Sequence, residues 1–182
     1  MQQLSFDLPK LISSSSPFQI DSSSRRLVHA LAEDLDFHTQ ASTYATHALH
    51  AFPAKFPPQL PRHFIEVLTE PGEIVLDPMS GSGTTLLEAQ LLGRQAIGFD
   101  IDPLAARISA AKTTPVAVDQ LLEQGYYVAE SARQLLAKHV QVVVTDFEKC
   151  YDEETRAFQR YWFWETTCLE LHALRMGIEA IP

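Results

Sequence analysis

The stretch VLDPMSGSGTTLLEAQ, from Val75 to Gln90, decides the fold of this chain. It runs from an apolar, β-branched segment through an acid, a proline and two glycines into a segment with helical character. The pattern predicts a short strand that ends at Asp77 and a helix that begins after Gly83. Glycines in such a connection let the backbone approach a ligand without a Cβ in the way. A ligand-binding turn between a strand and a helix is therefore expected.

The flanking segments repeat this alternation. QLPRHFIEVLT (59–69) has apolar residues at helical spacing and is followed by the breakers Pro71 and Gly72. After the opening stretch, QAIGFD (95–100) reads as a second strand and DPLAARISAAK (102–112) as a helix with proline in its first turn. The order predicts an α/β fold that begins a doubly wound parallel sheet.

Composition divides the chain into three parts. Residues 1–40 contain serine runs and are predicted to be a flexible tail, although RRLVHALAEDL (25–35) could form a short helix. Residues 41–115 form the predicted α/β core, which starts with a proline-rich ordered loop. Residues 116–182 form a mainly helical extension, in which VQVVVTDF (140–147) is compatible with either a strand or a helix.

Charge and composition exclude several classes of protein. The net charge is −9, so no overall basic field attracts the chain to nucleic acid. The two cysteines do not form a disulfide framework, which fits a reducing compartment. No apolar run approaches the roughly 18 residues of a membrane span, and no signal-peptide pattern opens the sequence. A cytoplasmic protein without a membrane partner is predicted.

A second acid ends the second strand. Asp100 lies 19 positions after Gly81, close to the spacing at which a carboxylate at the end of a strand accepts hydrogen bonds from a ribose diol. In an open parallel sheet, ligands bind at the carboxyl ends of the strands. A nucleoside ligand is therefore implied.

The residues of the glycine turn indicate which kind of nucleoside cofactor would bind there. GSGTT lacks the lysine of a phosphate-binding P-loop, and Leu86 occupies the place of the third glycine of a dinucleotide-binding turn. Asp77 would repel a pyrophosphate, but it suits the ammonium group and the sulfonium of S-adenosylmethionine. The predicted cofactor is S-adenosylmethionine, with NAD as the alternative to be tested.

The stretch VLDPMSGSGTTLLEAQLLGRQAIGFDIDPLAARISAAKTTP resembles the cofactor part of the DNA amino-methyltransferases, which modify N4 of cytosine or N6 of adenine. Their hallmark is Asp-Pro-Phe/Met-x-Gly-Ser/Thr-Gly-Thr-Thr, followed by Gly-x-Asp/Glu-x-x-Pro. The upstream HAFPAKFPPQLPRHFI (50–65) resembles the segment that closes over the methionine part of the cofactor. The resemblance covers about residues 44–115. It implies a Rossmann-like S-adenosylmethionine-dependent methyltransferase sheet, here incomplete and followed by the helical extension.

The resemblance also implies residue roles. Asp77, Pro78, Gly81 and Gly83 would form the loop at the methionine side, and Asp100 would hold the ribose. Ile101 would lie against the adenine. The remaining expected cofactor-binding residues are those near the methionine carboxylate and the other members of the glycine loop: Lys55, Phe56, Pro57, Met79, Ser82 and Thr84.

The family also requires a catalytic loop with the pattern Asp/Asn/Ser-Pro-Pro-Tyr/Phe/Trp, which binds the amino group of a flipped-out base. The one Pro-Pro pair of this chain, Pro57-Pro58, precedes the glycine loop and lacks the flanking polar and aromatic residues. No catalytic residue is therefore assigned. The expectation is a fragment or half of a split enzyme, which would contact DNA through a region outside this chain or through a second polypeptide.

Other features favour structural roles. Asp102 is predicted to cap the helix that follows it. Arg94 and Lys112 are predicted to be solvated. The aromatic run from Tyr161 to Trp164 is predicted to pack, within the chain or against the missing half, rather than to stack on bases. His47 and His50 are predicted to be loop residues rather than zinc ligands.

Three functions remain open at this point. The first is the cofactor-binding part of a DNA methyltransferase. The second is half of an RNA methyltransferase, and the third is a non-catalytic S-adenosylmethionine-binding or assembly module.

Overall fold

The structure is a computed structural model that describes residues 21–53 and 55–181. Contacts divide the chain into two compact units, Met1–Pro115 and Val116–Pro182. The first half of the predicted flexible tail (1–40), up to residue 20, lies outside the described residues. Its second half contains helix α1 (Ser22–Ala32), in which Ala30 is fully buried. The short helix that the sequence allowed within 25–35 is therefore present, and it begins three residues earlier.

The first unit alternates helices and strands after α1. Its elements are α2 (Gln59–Leu68), β1 (Ile74–Asp77), α3 (Thr84–Leu91), β2 (Gln95–Gly98) and α4 (Pro103–Thr113). These bounds confirm the predicted order of helix, strand, glycine turn, helix, strand and helix. The sequence predicted this order because the signals for each element lie within a few neighbouring residues, and a glycine, a proline or an acid stands at or shortly after the end of each element.

The two strands pair in parallel, with Ile74 opposite Gln95 and Asp77 opposite Gly98. Helix α3 packs closely on one face, where Gly98 leaves no room for a Cβ beside Leu86. On the other face Leu76 and Ile97 are 60% and 45% exposed. Two parallel strands are therefore present among the described residues, and the larger doubly wound, Rossmann-like sheet stays a prediction.

Helix α4 begins with the cap that its sequence predicted. Asp102 accepts a hydrogen bond from Leu104 N at 2.9 Å, and Pro103 follows it in the first turn. The side chain satisfies one of the backbone N–H groups that an α-helix leaves unpaired at its start.

Removing this cap should be measurable. Asp102→Ala is expected to lower the free energy of unfolding by about 1 kcal/mol, because the cap hydrogen bond is lost. Asp102→Asn is the control, since asparagine caps about as well. Chemical denaturation followed by circular dichroism would measure both variants. An equal loss in both would show that the charge, and not the cap, stabilises the helix.

The second unit is helical. It contains α5 (Val118–Lys138), α6 (Val140–Cys150), α7 (Glu153–Trp162) and α8 (Glu165–Glu179). Its core includes Ala132, Val143 and Ala173, from three of these helices. The stretch 140–147, which was compatible with a strand or a helix, is helical. Among the described residues, no helix has both the length and the apolar character needed to cross a membrane.

The side chains of the aromatic run are exposed. Tyr161 and Trp164 are 79% and 85% exposed, and Trp162 and Phe163 are also exposed. Helix α7 ends at Trp162, so the run lies at the break between α7 and α8 rather than inside one helix. The run is thus not buried among the described residues, and its packing against a region outside this chain stays a prediction.

Candidate functional site

The glycine turn leaves β1 and passes in front of the end of β2. Phe99 N donates to Asp77 O at 3.0 Å, and Ser80 N donates to Phe99 O at 2.9 Å. The turn then closes with a hydrogen bond from Gly83 N to Ser80 O at 2.7 Å. These bonds hold the turn at the carboxyl end of both strands, which is where open parallel sheets bind ligands.

Two glycines of the turn have backbone conformations that other residues adopt rarely. Gly81 has φ of 49° and Gly83 has φ of 78°. A Cβ on Gly83 would lie 2.9 Å from Ser109 Cβ, so α4 packs directly against the start of α3. A Cβ on Gly81 would have an ordinary contact with Phe52, 3.6 Å away. The turn is thus fixed by α4 on one side and has the proline-rich loop close by on the other.

The two strand-end acids bind the backbone of this region. Asp77 Oδ1 accepts from Met79 N at 3.1 Å. Asp100 accepts twice, from Gly81 N at 2.8 Å and from Asp102 N at 2.9 Å. An ionised carboxylate offers about four lone-pair sites, so both groups can still accept hydrogen bonds from a ligand. Asp100 therefore connects the second strand end to the glycine turn.

The other predicted residues of the turn differ in exposure. Ser82, Gly83 and Thr84 are buried, whereas Pro78 is exposed, Met79 is 84% exposed and Ile101 is fully exposed. Ser82 Oγ is buried without a hydrogen-bond partner among the described residues. Since a buried hydroxyl without a partner is costly, this atom indicates a place where a polar ligand atom or water would bind.

The predicted residues of the proline-rich loop line a cleft of about 310 Å³. Lys55, Phe56 and Pro57 face it together with Pro58 and residues from the preceding segment 37–42. Lys55 Nζ donates to His47 O at 3.0 Å. These three residues are exposed, and neither Asp77 nor Asp100 lines the cleft with them.

A buried polar network was not foreseen from the sequence. Glu88, on α3, is fully buried and accepts from Tyr44 OH and His47 Nε2, each at 2.7 Å. Arg62 lies 3.4 Å from its other oxygen. His47, predicted to be an ordinary loop residue, is 2% exposed. Residues 41 to 44 positions apart in sequence meet here, and local patterns carry no signal of such a contact.

The buried network changes the pKa of the Tyr44 phenol. Burial, followed by the hydrogen bond to Glu88, raises the pKa of Tyr44 to about 12. A raised pKa means that the folded state favours the neutral phenol. The contribution of this phenol to stability is therefore complete below its ordinary pKa of about 10 and is lost as the pH rises towards 12.

The midpoint of thermal unfolding of the wild type should therefore converge on that of Tyr44→Phe between about pH 10 and pH 12. Subtracting the Tyr44→Phe curve removes the titration of the lysines, which both proteins share. A difference that stays constant over this range would contradict the predicted role of the phenol.

Two cations differ from their sequence-based predictions. Lys112, predicted to be solvated, is 3% exposed, and burial, aided by the charge of Lys55, lowers its pKa. The prediction is wrong because the position of Lys112 in a helix does not indicate which loop covers that helix. The covering loop contains Thr46, whose Oγ1 donates a hydrogen bond to Lys112 O at 2.8 Å. Arg94 is only partly exposed and donates to Thr69 O and Leu92 O, each at 2.6 Å.

The helical unit contains a cluster of possible metal ligands. One ligand atom each from Asp146, Cys150 and His172 lies within 4.8 Å of the others. Arg175 NH2 lies 2.9 Å from Asp146 Oδ2, the oxygen that is also hydrogen-bonded to His172 Nε2. The hydrogen bond from His172 is the main reason that the pKa of Asp146 is lowered. A guanidinium within the cluster disfavours a second cation, so the group is assigned to an ion-pair network.

Comparison with known proteins finds a family similar to most of the first unit. Residues 29–111 match the family model described as DNA methylase, that of the N6- and N4-methyltransferases. The matched range contains the glycine turn, both strand-end acids and the Glu88 network. This part of the chain is therefore similar to the DNA amino-methyltransferases.

Curated relatives agree with this family. The chain is 43% identical over 79 residues to the type II methyltransferase M.MvaI of Kocuria varians, a match that covers 42% of this chain and 17% of that protein. It is 44% identical over 62 residues to M.PvuII of Proteus hauseri, covering 34% of this chain and 18% of that protein. The chain thus matches less than a fifth of the length of these two methyltransferases.

A solved structure is also similar in sequence. The cytosine-N4-specific PvuII DNA methyltransferase is 36% identical and covers 41% of this chain and 27% of that protein, with a TM-score of 0.35. At this TM-score the superposition adds no argument about the fold. The similarity to the amino-methyltransferases therefore rests on the sequence matches.

Proposed function

We propose that the first unit binds S-adenosylmethionine at the carboxyl ends of β1 and β2. The observation that carries the proposal is the hydrogen bond from Gly81 N to Asp100 Oδ2 at 2.8 Å. It brings the acid at the end of the second strand against the glycine turn that follows the first strand. A ligand that lies on this turn would therefore meet a carboxylate from each strand.

The residues of the turn fit this cofactor. Asp77 would attract the ammonium group and the sulfonium, and Asp100 would accept hydrogen bonds from the ribose hydroxyls. The unpartnered Ser82 Oγ and the backbone of Gly81 and Gly83 provide polar groups in a turn that side chains do not obstruct. Pro78, Met79 and Thr84 complete the turn, and Ile101, which is fully exposed, would offer an apolar contact to the adenine.

Lys55, Phe56 and Pro57 are proposed to contact the methionine end. They line the cleft of about 310 Å³, and Phe52 of the same loop lies beside the position of Gly81. A lysine ammonium there would balance the cofactor carboxylate. The two ends of the cofactor would thus contact different segments of the first unit.

The proposed reaction is transfer of the methyl group to the exocyclic amino group of cytosine or adenine in DNA. The bound cofactor would supply the electrophilic methyl group, and residues of this chain would bind and orient it. The chain contains no stretch of the family's catalytic pattern, so we assign the binding of the amino group to residues that this sequence does not include. These would lie in a further region or a second polypeptide, which would also contact DNA.

Two alternatives keep specific support. An RNA methyltransferase half would share the same turn, because the proposed role of the turn is to bind the cofactor and not the nucleic acid. A non-catalytic S-adenosylmethionine-binding or assembly module is favoured by the missing catalytic pattern and by the net charge of −9, which does not attract nucleic acid.

Titration of the full chain with S-adenosylmethionine and, separately, with NAD tests the proposal. Calorimetry is expected to show binding of S-adenosylmethionine and no comparable binding of NAD, because Asp77 would repel a pyrophosphate. Preferential binding of NAD would overturn the cofactor assignment. Transfer of a labelled methyl group to DNA by this chain alone would overturn the assignment of the catalytic loop to other residues.

A further inference from the structure

Glu88 is a buried charge next to the proposed cofactor site. It lies on α3, the helix that follows the glycine turn, and none of its side chain is exposed. Because it cannot reach solvent or a ligand in the cleft, it cannot itself bind the cofactor. Its role must be carried out through the groups that contact it.

Those groups come from segments that precede the sheet in sequence. Tyr44 OH and His47 Nε2 both lie 2.7 Å from Glu88 Oε1, and Arg62 NH1 lies 3.4 Å from Oε2. A buried carboxylate is tolerated only when hydrogen bonds and cations surround it. Glu88 therefore holds the beginning of the proline-rich loop, and with it α2, against α3.

His47 extends this network to the proposed cofactor-binding residues. Its ring contacts Glu88, while its backbone carbonyl accepts a hydrogen bond from Lys55 Nζ at 3.0 Å. The neighbouring Thr46 Oγ1 donates to Lys112 O at 2.8 Å, which fixes the same part of the loop to α4. The position of the Lys55 ammonium group thus depends on a histidine whose ring is held by Glu88.

We propose that Glu88 is a positioning residue that, through His47, places the Lys55 ammonium group where it binds the methionine carboxylate of S-adenosylmethionine. The inference rests on the proposed function. It predicts that Glu88 and Lys55 act as one unit in cofactor binding, although no contact joins their side chains. A role of Glu88 in stability alone would leave the contributions of the two residues independent.

A double-mutant cycle on the full chain distinguishes these roles. Calorimetry with S-adenosylmethionine would compare the wild type, Glu88→Gln, Lys55→Met and the double variant. Each single variant is expected to weaken binding by about tenfold, because a charged hydrogen-bonding group is lost or misplaced. The double variant is expected to bind no more weakly than Lys55→Met, since coupled residues are not additive.

Tyr44→Phe is the matched control. It removes a hydrogen bond to the same Glu88 oxygen but leaves His47 in place, so its affinity should stay within about twofold of the wild type. Thermal unfolding by circular dichroism would be measured for every variant. If Glu88→Gln does not fold, His47→Gln, which removes the ring that contacts Glu88, takes its place in the cycle with the same expected result.

The outcomes separate the inference from the proposed function. A double variant that is about a hundredfold weaker, the product of the single effects, would overturn the inference alone. The same holds if Glu88→Gln binds like the wild type, or if Tyr44→Phe weakens binding as much as Glu88→Gln. Lys55→Met that binds like the wild type would overturn the inference and also remove Lys55 from the proposed cofactor site. A wild type that does not bind S-adenosylmethionine would overturn the proposed function, and the inference with it.

Discussion

Gly83→Ala is expected to lower the free energy of unfolding of the first unit by roughly 2–6 kcal/mol, the sum of backbone strain and overpacking. Gly83 has φ of 78°, and its missing Cβ would lie 2.9 Å from Ser109 Cβ and 3.1 Å from Ser109 Cα. The backbone of α4 would have to move away from the glycine turn. The variant should therefore also lose S-adenosylmethionine binding.

Gly72→Ala is the control for this substitution. Gly72 has φ of 89°, but nothing lies within 4 Å of the position that its Cβ would occupy. It should lose only the strain contribution, about 1–3 kcal/mol, and should keep its affinity for the cofactor. Chemical denaturation and calorimetry would measure both effects. Equal destabilisation by the two substitutions would show that the contact between the turn and α4 is unimportant.

Asp100→Asn is expected to weaken the binding of S-adenosylmethionine by about 1–3 kcal/mol, roughly 5- to 150-fold. Both oxygens of Asp100 accept backbone hydrogen bonds, from Gly81 N and Asp102 N. In asparagine one oxygen becomes an NH2 group, which would face one of these donors. The turn would loosen and the ribose would lose an acceptor, so calorimetry should report weaker binding.

Asp102→Asn separates this effect from a change in net charge. It removes the same charge two residues away, at an exposed side chain that caps α4. Because asparagine keeps the cap, the affinity should not change. Unchanged binding by Asp100→Asn would remove Asp100 from the cofactor site, and equal weakening by both variants would reduce its role to long-range charge.

The elements around the glycine turn could be predicted because their signals are local. The apolar run before Asp77, the glycines of the turn and Pro103 after Asp102 each mark a boundary within a few residues. The spacing of Asp100 from Gly81 likewise predicted that a second acid would lie near the turn. That proximity is present as the hydrogen bond between them, whereas the binding roles of both residues stay predictions.

The features that the sequence left open or that were predicted wrongly depend on contacts between distant residues. VQVVVTDF is rich in β-branched residues that favour strands, yet it is helical because Val143 and Phe147, four positions apart, both lie in the buried interior of the second unit. Lys112 was predicted to be solvated and is buried, and the burial of Glu88 was not foreseen from the sequence. Only the folded chain shows that the loop containing Tyr44 and Thr46 covers them.

A crystal structure of the full chain soaked with S-adenosylmethionine would show whether both strand-end acids contact the cofactor. We expect the ribose hydroxyls within about 3.2 Å of Asp100 carboxylate oxygens, a hydrogen-bond distance, and the amino-acid end of the cofactor beside Asp77. A cofactor bound elsewhere, or one that lies on the glycine turn with both carboxylates beyond about 6 Å, would contradict this expectation.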